Sequence, residues 1–178
     1  MDALSLLKKQ LGANTELFET VYLHSRNVMQ KALSLAEKHP EISLNKTFIE
    51  EAALLHDIGV YRTNAPDIHC YGDAPYICHG YLGRELLDKE GLPLHGLVCE
   101  RHTGTGLYLT EILAKKLPLP LRDLAPVSLE EQIICFADKF YSKSQLHSEF
   151  TVEEVRRKLA KYGPDGVARF DRWCEKFL

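Results

Sequence analysis

Apolar residues recur at steps of three and four along most of the chain, broken at intervals by Pro or Gly, with little period-2 alternation. The pattern predicts an all-α fold, a compact bundle of about seven to nine helices. A short helix is expected from Ala3 to Gln10 and a long one from Glu16 to His39, stopped by Pro40. In the long helix Val21, His24, Val28, Ala32 and Leu35 form one inward stripe, which turns an imidazole toward the core. A third helix opens at Asn45 or Lys46 and carries Phe48, Ile49, Ala52 and Leu55 inward, reaching His56-Asp57 with Gly59 as its expected cap.

Val60 to Pro75 is rich in turn formers and reads as a long loop, of the kind that covers a binding site. A fourth helix from Tyr76 places His79 on a stripe with Gly83 and Leu86. A fifth, after Pro93, spaces Leu94, Val98 and His102 four apart and breaks at Thr103-Gly104-Thr105-Gly106, and a sixth is expected from Leu109 to Lys116. The capping box Ser128-Leu129-Glu130-Glu131 opens a helix that places Ile134, Ala137 or Asp138, Tyr141 and Gln145 on a common side. A second box at Thr151 and the Gly163-Pro164 break define two C-terminal packing helices, to which Trp173 and Phe177 belong as core. His95 and His147 fall off the inward stripes and are expected to be exposed.

Chemistry enters through the histidines. An apolar run, Ala52-Ala53-Leu54-Leu55, ends on His56-Asp57, and a buried carboxylate there costs several kcal/mol unless a partner neutralises it. Imidazole nitrogen with carboxylate oxygen suits a divalent transition metal: Fe, Mn, Ni, Co or Zn. His24, His79, His102 and Asp138 are candidate further ligands on other helices, against the alternative of a purely structural polar core. At 178 residues and 45% hydrophobic content the chain fits one domain, and a formal net charge of −3 offers no field for a nucleic-acid backbone. Any phosphorylated partner is therefore expected to be small. The five scattered cysteines form neither a disulfide framework nor a thiolate zinc site. With no signal peptide and no apolar run long enough to span a bilayer, the expectation is a soluble cytoplasmic protein, its oligomeric state open.

A histidine, then an adjacent His-Asp pair, then a distant aspartate resembles the HD-domain metal-dependent phosphohydrolases; here these are His24, His56-Asp57 and Asp138, over about residues 20 to 145. The resemblance implies a helical bundle occupying residues 1–178 as a single HD-type unit, with helices from about 151 as packing. His79 and His102 match, in order, the further histidines of binuclear members. The implied sets are His24, His56, Asp57 and Asp138 for one ion and Asp57, His79 and His102 for a second, with Asp57 and His56 at the catalytic centre and two cations activating a shared water.

The implied substrate is a small phosphoester, a nucleotide or a dinucleoside polyphosphate. Val60 stands where many such sequences carry a lysine, so Arg62, His69, Arg84, Arg101 and Lys139 are the candidate substrate-binding residues. Arg62, His69 and Tyr71 would act from the covering loop. The Gly-Tyr-Pro element of cyclic-dinucleotide phosphodiesterases is absent after His102. Two rivals remain: a di-iron HD-type oxygenase, and a non-catalytic HD signalling module.

Overall fold

The computed structural model describes residues 2–178; Met1 lies outside the described residues. Local capping chemistry sets where helices begin. The Asp2 carboxylate accepts Ser5 N–H to start α1 (Ala3–Leu11), Asn14 accepts Leu17 N–H at α2 (Thr15–Lys38), and Asn45 accepts Phe48 N–H at α3 (Lys46–Leu55). After α4 (His79–Lys89), α5 (Pro93–Arg101) and α6 (Leu109–Ala114), capping boxes at Ser128 and Thr151 open α7 (Leu129–Asp138) and α8 (Val152–Ala160). Pro164 begins α9 (Pro164–Phe177) in the first-turn position that needs no N–H. No helix among the described residues is long and apolar enough to cross a membrane.

Two apolar clusters hold these helices together. One gathers Val28, Ala32, Ile49, Ile133, Phe136, Phe170, Trp173 and Phe177; the other gathers Leu7, Leu11, Val21, Leu55, Ile58 and Leu87. Each Val, Leu, Ile or Phe among them, taken fully out of water, contributes about 1.5–3 kcal/mol. Helix α2 runs through both, Val21 in one and Val28 in the other, and His24 lies between them on the same stripe. The polar centre therefore sits at the seam of two cores.

Residues 60–75 depart from the expected loop. Ile58–Arg62 and Pro66–Ile68 form short 3-10 turns, and β1 (Thr63–Ala65) lies between β2 (Cys70–Tyr71), antiparallel, and β3 (Ala74–Pro75), parallel. The register pairs Ala65 with Cys70 and Thr63 with Ala74. Strands of two and three residues carry too little alternation to be read from sequence.

Gly59 is not a helix cap either. Helix α3 ends at Leu55, and Gly59 lies in the following 3-10 turn, where a Cβ would come 2.2 Å from His79 O and 2.4 Å from Gly83 N. Its missing side chain lets that turn lie on α4.

Two further expectations fail for physical reasons. His95 is buried: α5 packs against α3, α4 and α7 and turns Leu94 outward instead, and the His95 ring sits edge-on to Phe48 with Nε2 3.2 Å from Glu51 Oε2. Helix α7 stops at Asp138, short of Tyr141 and Gln145. Beyond it the Ser142 and Ser144 hydroxyls bond each other at 2.9 Å, and Ser144 N–H bonds Ser142 Oγ, local bonds that compete with helix.

Candidate metal centre

Helix ends aim most of the polar groups of the centre. His56 caps the C-terminus of α3 and Asp57 follows it, His79 is the first residue of α4, His102 caps α5, and Asp138 is the last residue of α7; only His24 comes from mid-helix. Three rings are fixed in the same way: Nδ1 of His56, His79 and His102 meets the carbonyl three residues earlier, of Ala53, Tyr76 and Cys99, at 2.7, 2.7 and 2.6 Å. A nitrogen facing a carbonyl must carry the proton, so in each neutral ring Nε2 is the bare lone pair. The three Nε2 atoms converge on the Asp57 carboxylate.

Asp57 stands between them, fully buried. Its Oδ2 is 3.2 Å from His24 Nε2 and 3.0 Å from His56 Nε2, while its Oδ1 is 3.5 Å from His79 Nε2 and 3.4 Å from His102 Nε2. Asp138 Oδ1 joins the first side, 2.9 Å from His24 Nε2 and 3.5 Å from His56 Nε2. The result is two compact groups that share one carboxylate: His24, His56, Asp57 and Asp138, and Asp57, His79 and His102.

Both Asp57 oxygens and His56 Nε2 lack any partner in hydrogen-bond geometry. Buried polar atoms are ordinarily satisfied, and these three belong to a set dominated by acceptors. The donor set, imidazole nitrogen with carboxylate oxygen, fits a divalent metal.

Titration behaviour points the same way. Burial, with His102 beside it, pushes His79 down to about 3. Burial likewise lowers His102, whose Nε2 faces that of His79 across 3.0 Å. Burial works against a charge on His56, but the Asp57 and Asp138 carboxylates outweigh it and raise the ring to about 9. The Asp57 carboxyl lies well below the usual range, burial being outweighed by His56 and Lys143; for Asp138 the outweighing groups are Lys139, His24 and His56. The centre attracts positive charge.

Two lysines answer that attraction. Lys139 Nζ is 2.7 Å from Asp138 Oδ2 and donates to His102 O at 3.1 Å, tying one group to the other. Lys143 Nζ is 2.6 Å from Asp57 Oδ2. Sequence reasoning missed Lys143, which lies past the end of α7, where no helical stripe marks a direction.

The other proposed substrate residues are turned elsewhere. Arg62 pairs with Glu85 at 3.0 Å, His69 lies 3.4 Å from Glu16, Arg101 pairs with Glu131, and Arg84 shares the buried Glu100 carboxylate with Arg122. Tyr71 is 71% exposed. The 60–75 segment does border the centre, through Ala65, Asp67 and Ile68.

Two cavities flank the centre. One, of about 470 Å³, is lined by His24, Tyr76, Asp138, Lys139, Lys143 and Lys158 among others. The second, of about 460 Å³, reaches His79 and is walled by Tyr76, Leu107, Leu117, Tyr162 and Arg169. The C-terminal helices, expected to serve packing alone, thus contribute cavity wall through Leu159, Gly166 and Arg169.

A family model described as HD domain matches residues 21–143, the span that holds all six residues of the two groups. The chain belongs to the HD domain family. An uncharacterized protein of Methanocaldococcus jannaschii is 29% identical over 164 residues, covering 91% of this chain and 87% of that protein. The tRNA (cytidine(56)-2'-O)-methyltransferase of Picrophilus torridus is 31% identical over 129 residues, and that of Thermoplasma volcanium 28% identical over 158. These alignments take in 72% and 87% of this HD-domain chain but 33% and 42% of the respective methyltransferases. Among solved structures, the HD domain of the L. monocytogenes phosphodiesterase PgpH superposes with a TM-score of 0.57 at 22% identity, over 97% of this chain and 86% of that one. Its complex with cyclic-di-AMP gives 0.55 at 19% identity, over 99% and 86%. At those identities the likeness is one of fold.

Proposed function

We propose that this HD-domain chain is a metal-dependent phosphohydrolase that acts, as one unit over residues 1–178, on a small phosphoester, a nucleotide or a dinucleoside polyphosphate. The observation that carries the reading is the division of Asp57, one oxygen toward His24 and His56 and the other toward His79 and His102. A carboxylate so placed is suited to bridge two cations. Under this reading His24, His56, Asp57 and Asp138 hold one ion, and Asp57, His79 and His102 hold a second. Such ions, when bound, supply Lewis acidity toward a phosphoryl oxygen and an activated water.

The chain's own residues do the rest. Backbone carbonyls of Ala53, Tyr76 and Cys99 keep three rings in the tautomer that offers Nε2 inward. Lys139 holds Asp138 and the end of α5 in fixed relation. The lysine-lined cavity suits phosphate oxygens, and the apolar cavity beside His79, with Tyr76 and Tyr162, suits an uncharged planar body. In the reaction a water oxygen forms the new bond to phosphorus, the bond to the leaving oxygen breaks, and the water proton passes to that oxygen or to solvent. PgpH, named a phosphodiesterase and solved with cyclic-di-AMP, supports a nucleotide as the first class to try.

The filled positions of both groups speak against a decayed signalling module. The methyltransferase relatives favour a second reading, in which the phosphoester belongs to RNA. Metal-stripped protein given back Mn, Fe, Co, Ni or Mg and screened against nucleotides, dinucleoside polyphosphates and tRNA fragments with terminal phosphates tests both. Release of phosphate or nucleotide is the expected result. No turnover with any metal, or iron-dependent O2 consumption instead, would overturn the hydrolase reading.

A further inference from the structure

The Lys143 ammonium is nearly buried at the shared carboxylate of the centre. It is 2.6 Å from Asp57 Oδ2, the oxygen that also faces His24 and His56. An ammonium at that oxygen occupies space that a cation held by His24, His56, Asp57 and Asp138 would need. The two positive charges would repel strongly at such separation in a site with little water. Lys139 has its own carboxylate in Asp138 and a carbonyl besides, so it has no reason to leave. Lys143 pairs with Asp57 and neighbours the Tyr76 phenol and ring, and Asp138, already paired with Lys139, acts on it from farther off.

Lys143 stands in a turn between α7 and α8, held by the Ser142–Gln145 bridge and by Asn27, which donates to Leu146 O at 3.0 Å, so rotation of its side chain alone must move the ammonium. The side chain borders the 470 Å³ cavity, which Lys139 and Lys158 also line. A four-carbon stem leaving Asp57 can carry its ammonium into that space without exposing an apolar core.

Resting on the metal-dependent reading above, we infer that Lys143 is an exchangeable counter-ion: it neutralises Asp57 in the metal-free centre, yields Oδ2 to an incoming divalent ion, and then meets the anionic oxygens of the phosphoester from the adjoining cavity. Lysine thus serves two states of one site. It is a tethered competitor of the metal and, once displaced, a ligand for the substrate.

Titration calorimetry of metal-free wild type, Lys143→Met and Lys143→Gln with Mn2+, followed by inorganic phosphate titrated into the Mn2+-loaded proteins, tests the inference. Both variants are expected to bind Mn2+ about tenfold more tightly, to unfold at lower temperature when metal-free, and to bind phosphate several-fold more weakly, with Lys143→Arg restoring phosphate affinity in part. With a phosphoester substrate KM should rise more than kcat falls. Two variants with unaltered circular dichroism guard against a folding defect. Wild type that takes up no divalent ion would overturn the metal reading itself. Wild type that binds Mn2+ and phosphate while both variants bind each identically would overturn this inference alone, as would variants that bind Mn2+ more weakly.

Discussion

His79 and His102 come from opposite ends of two packed helices and bring their Nε2 atoms within 3.0 Å of each other, while each ring's Nδ1 is engaged by a carbonyl. Two bare lone pairs at that distance repel unless something positive joins them. Replacing both with alanine should therefore lower metal stoichiometry by half and sharply reduce turnover, leaving the ion held by His24, His56, Asp57 and Asp138 in place. Elemental analysis after gentle desalting reads this; a double variant with unchanged metal content would show that the pair serves to orient other groups.

Asp57→Ala removes the shared carboxylate and His56→Ala removes the ring whose Nε2 faces both Asp57 and Asp138. Each variant is expected to lose metal binding and hydrolysis while far-UV circular dichroism changes little, because the two apolar clusters remain intact. Full metal content in either variant would reduce the two residues to a structural pair.

How much of this was legible in the sequence depends on the range of the force involved. Helix starts at Asn45, Ser128 and Thr151 are written locally, since a side-chain acceptor and the N–H it satisfies are three residues apart. The inward turn of His24, His79 and His102 follows from helical stripes, and the structure brings those rings to one place. Gly59 and His95 were misread because their surroundings come from α4, Glu51 and Phe48, which no local period encodes. Lys143 was missed because a turn, unlike a helix, has no period that tells where a side chain points. The charge of Arg62, Arg84 and Arg101 is plain in the sequence, but their carboxylate partners Glu85, Glu100 and Glu131 lie 16 to 30 residues away, beyond any local period.

Gly59→Ala should destabilise the protein by roughly 1–3 kcal/mol, the usual cost of forcing extra volume into a packed site. The added methyl meets backbone, His79 O and Gly83 N, so no side chain can swing aside to relieve it. A lower urea midpoint with weakened metal binding is expected, since the displaced backbone carries His79. An unchanged midpoint would show that the 3-10 turn does not depend on this contact.

Phe136→Ala should cost about 3–5 kcal/mol, the range for emptying a buried aromatic site. The ring is fully buried and lies within 5.1–6.4 Å, centroid to centroid, of Phe140, Phe170, Phe177 and Trp173. Below its own unfolding temperature the variant should keep the wild-type metal stoichiometry, which separates core stability from the centre. Loss of metal in a still-folded variant would contradict that separation.

Metal content and phosphoester turnover of the wild-type chain, stripped with chelator and reconstituted by stepwise addition of Mn2+, test the two-ion centre most directly. The centre described here predicts uptake of about two ions per chain, with hydrolysis rising as the second is taken up. Saturation at a single ion, or uptake of both without hydrolysis of any phosphoester, would contradict it.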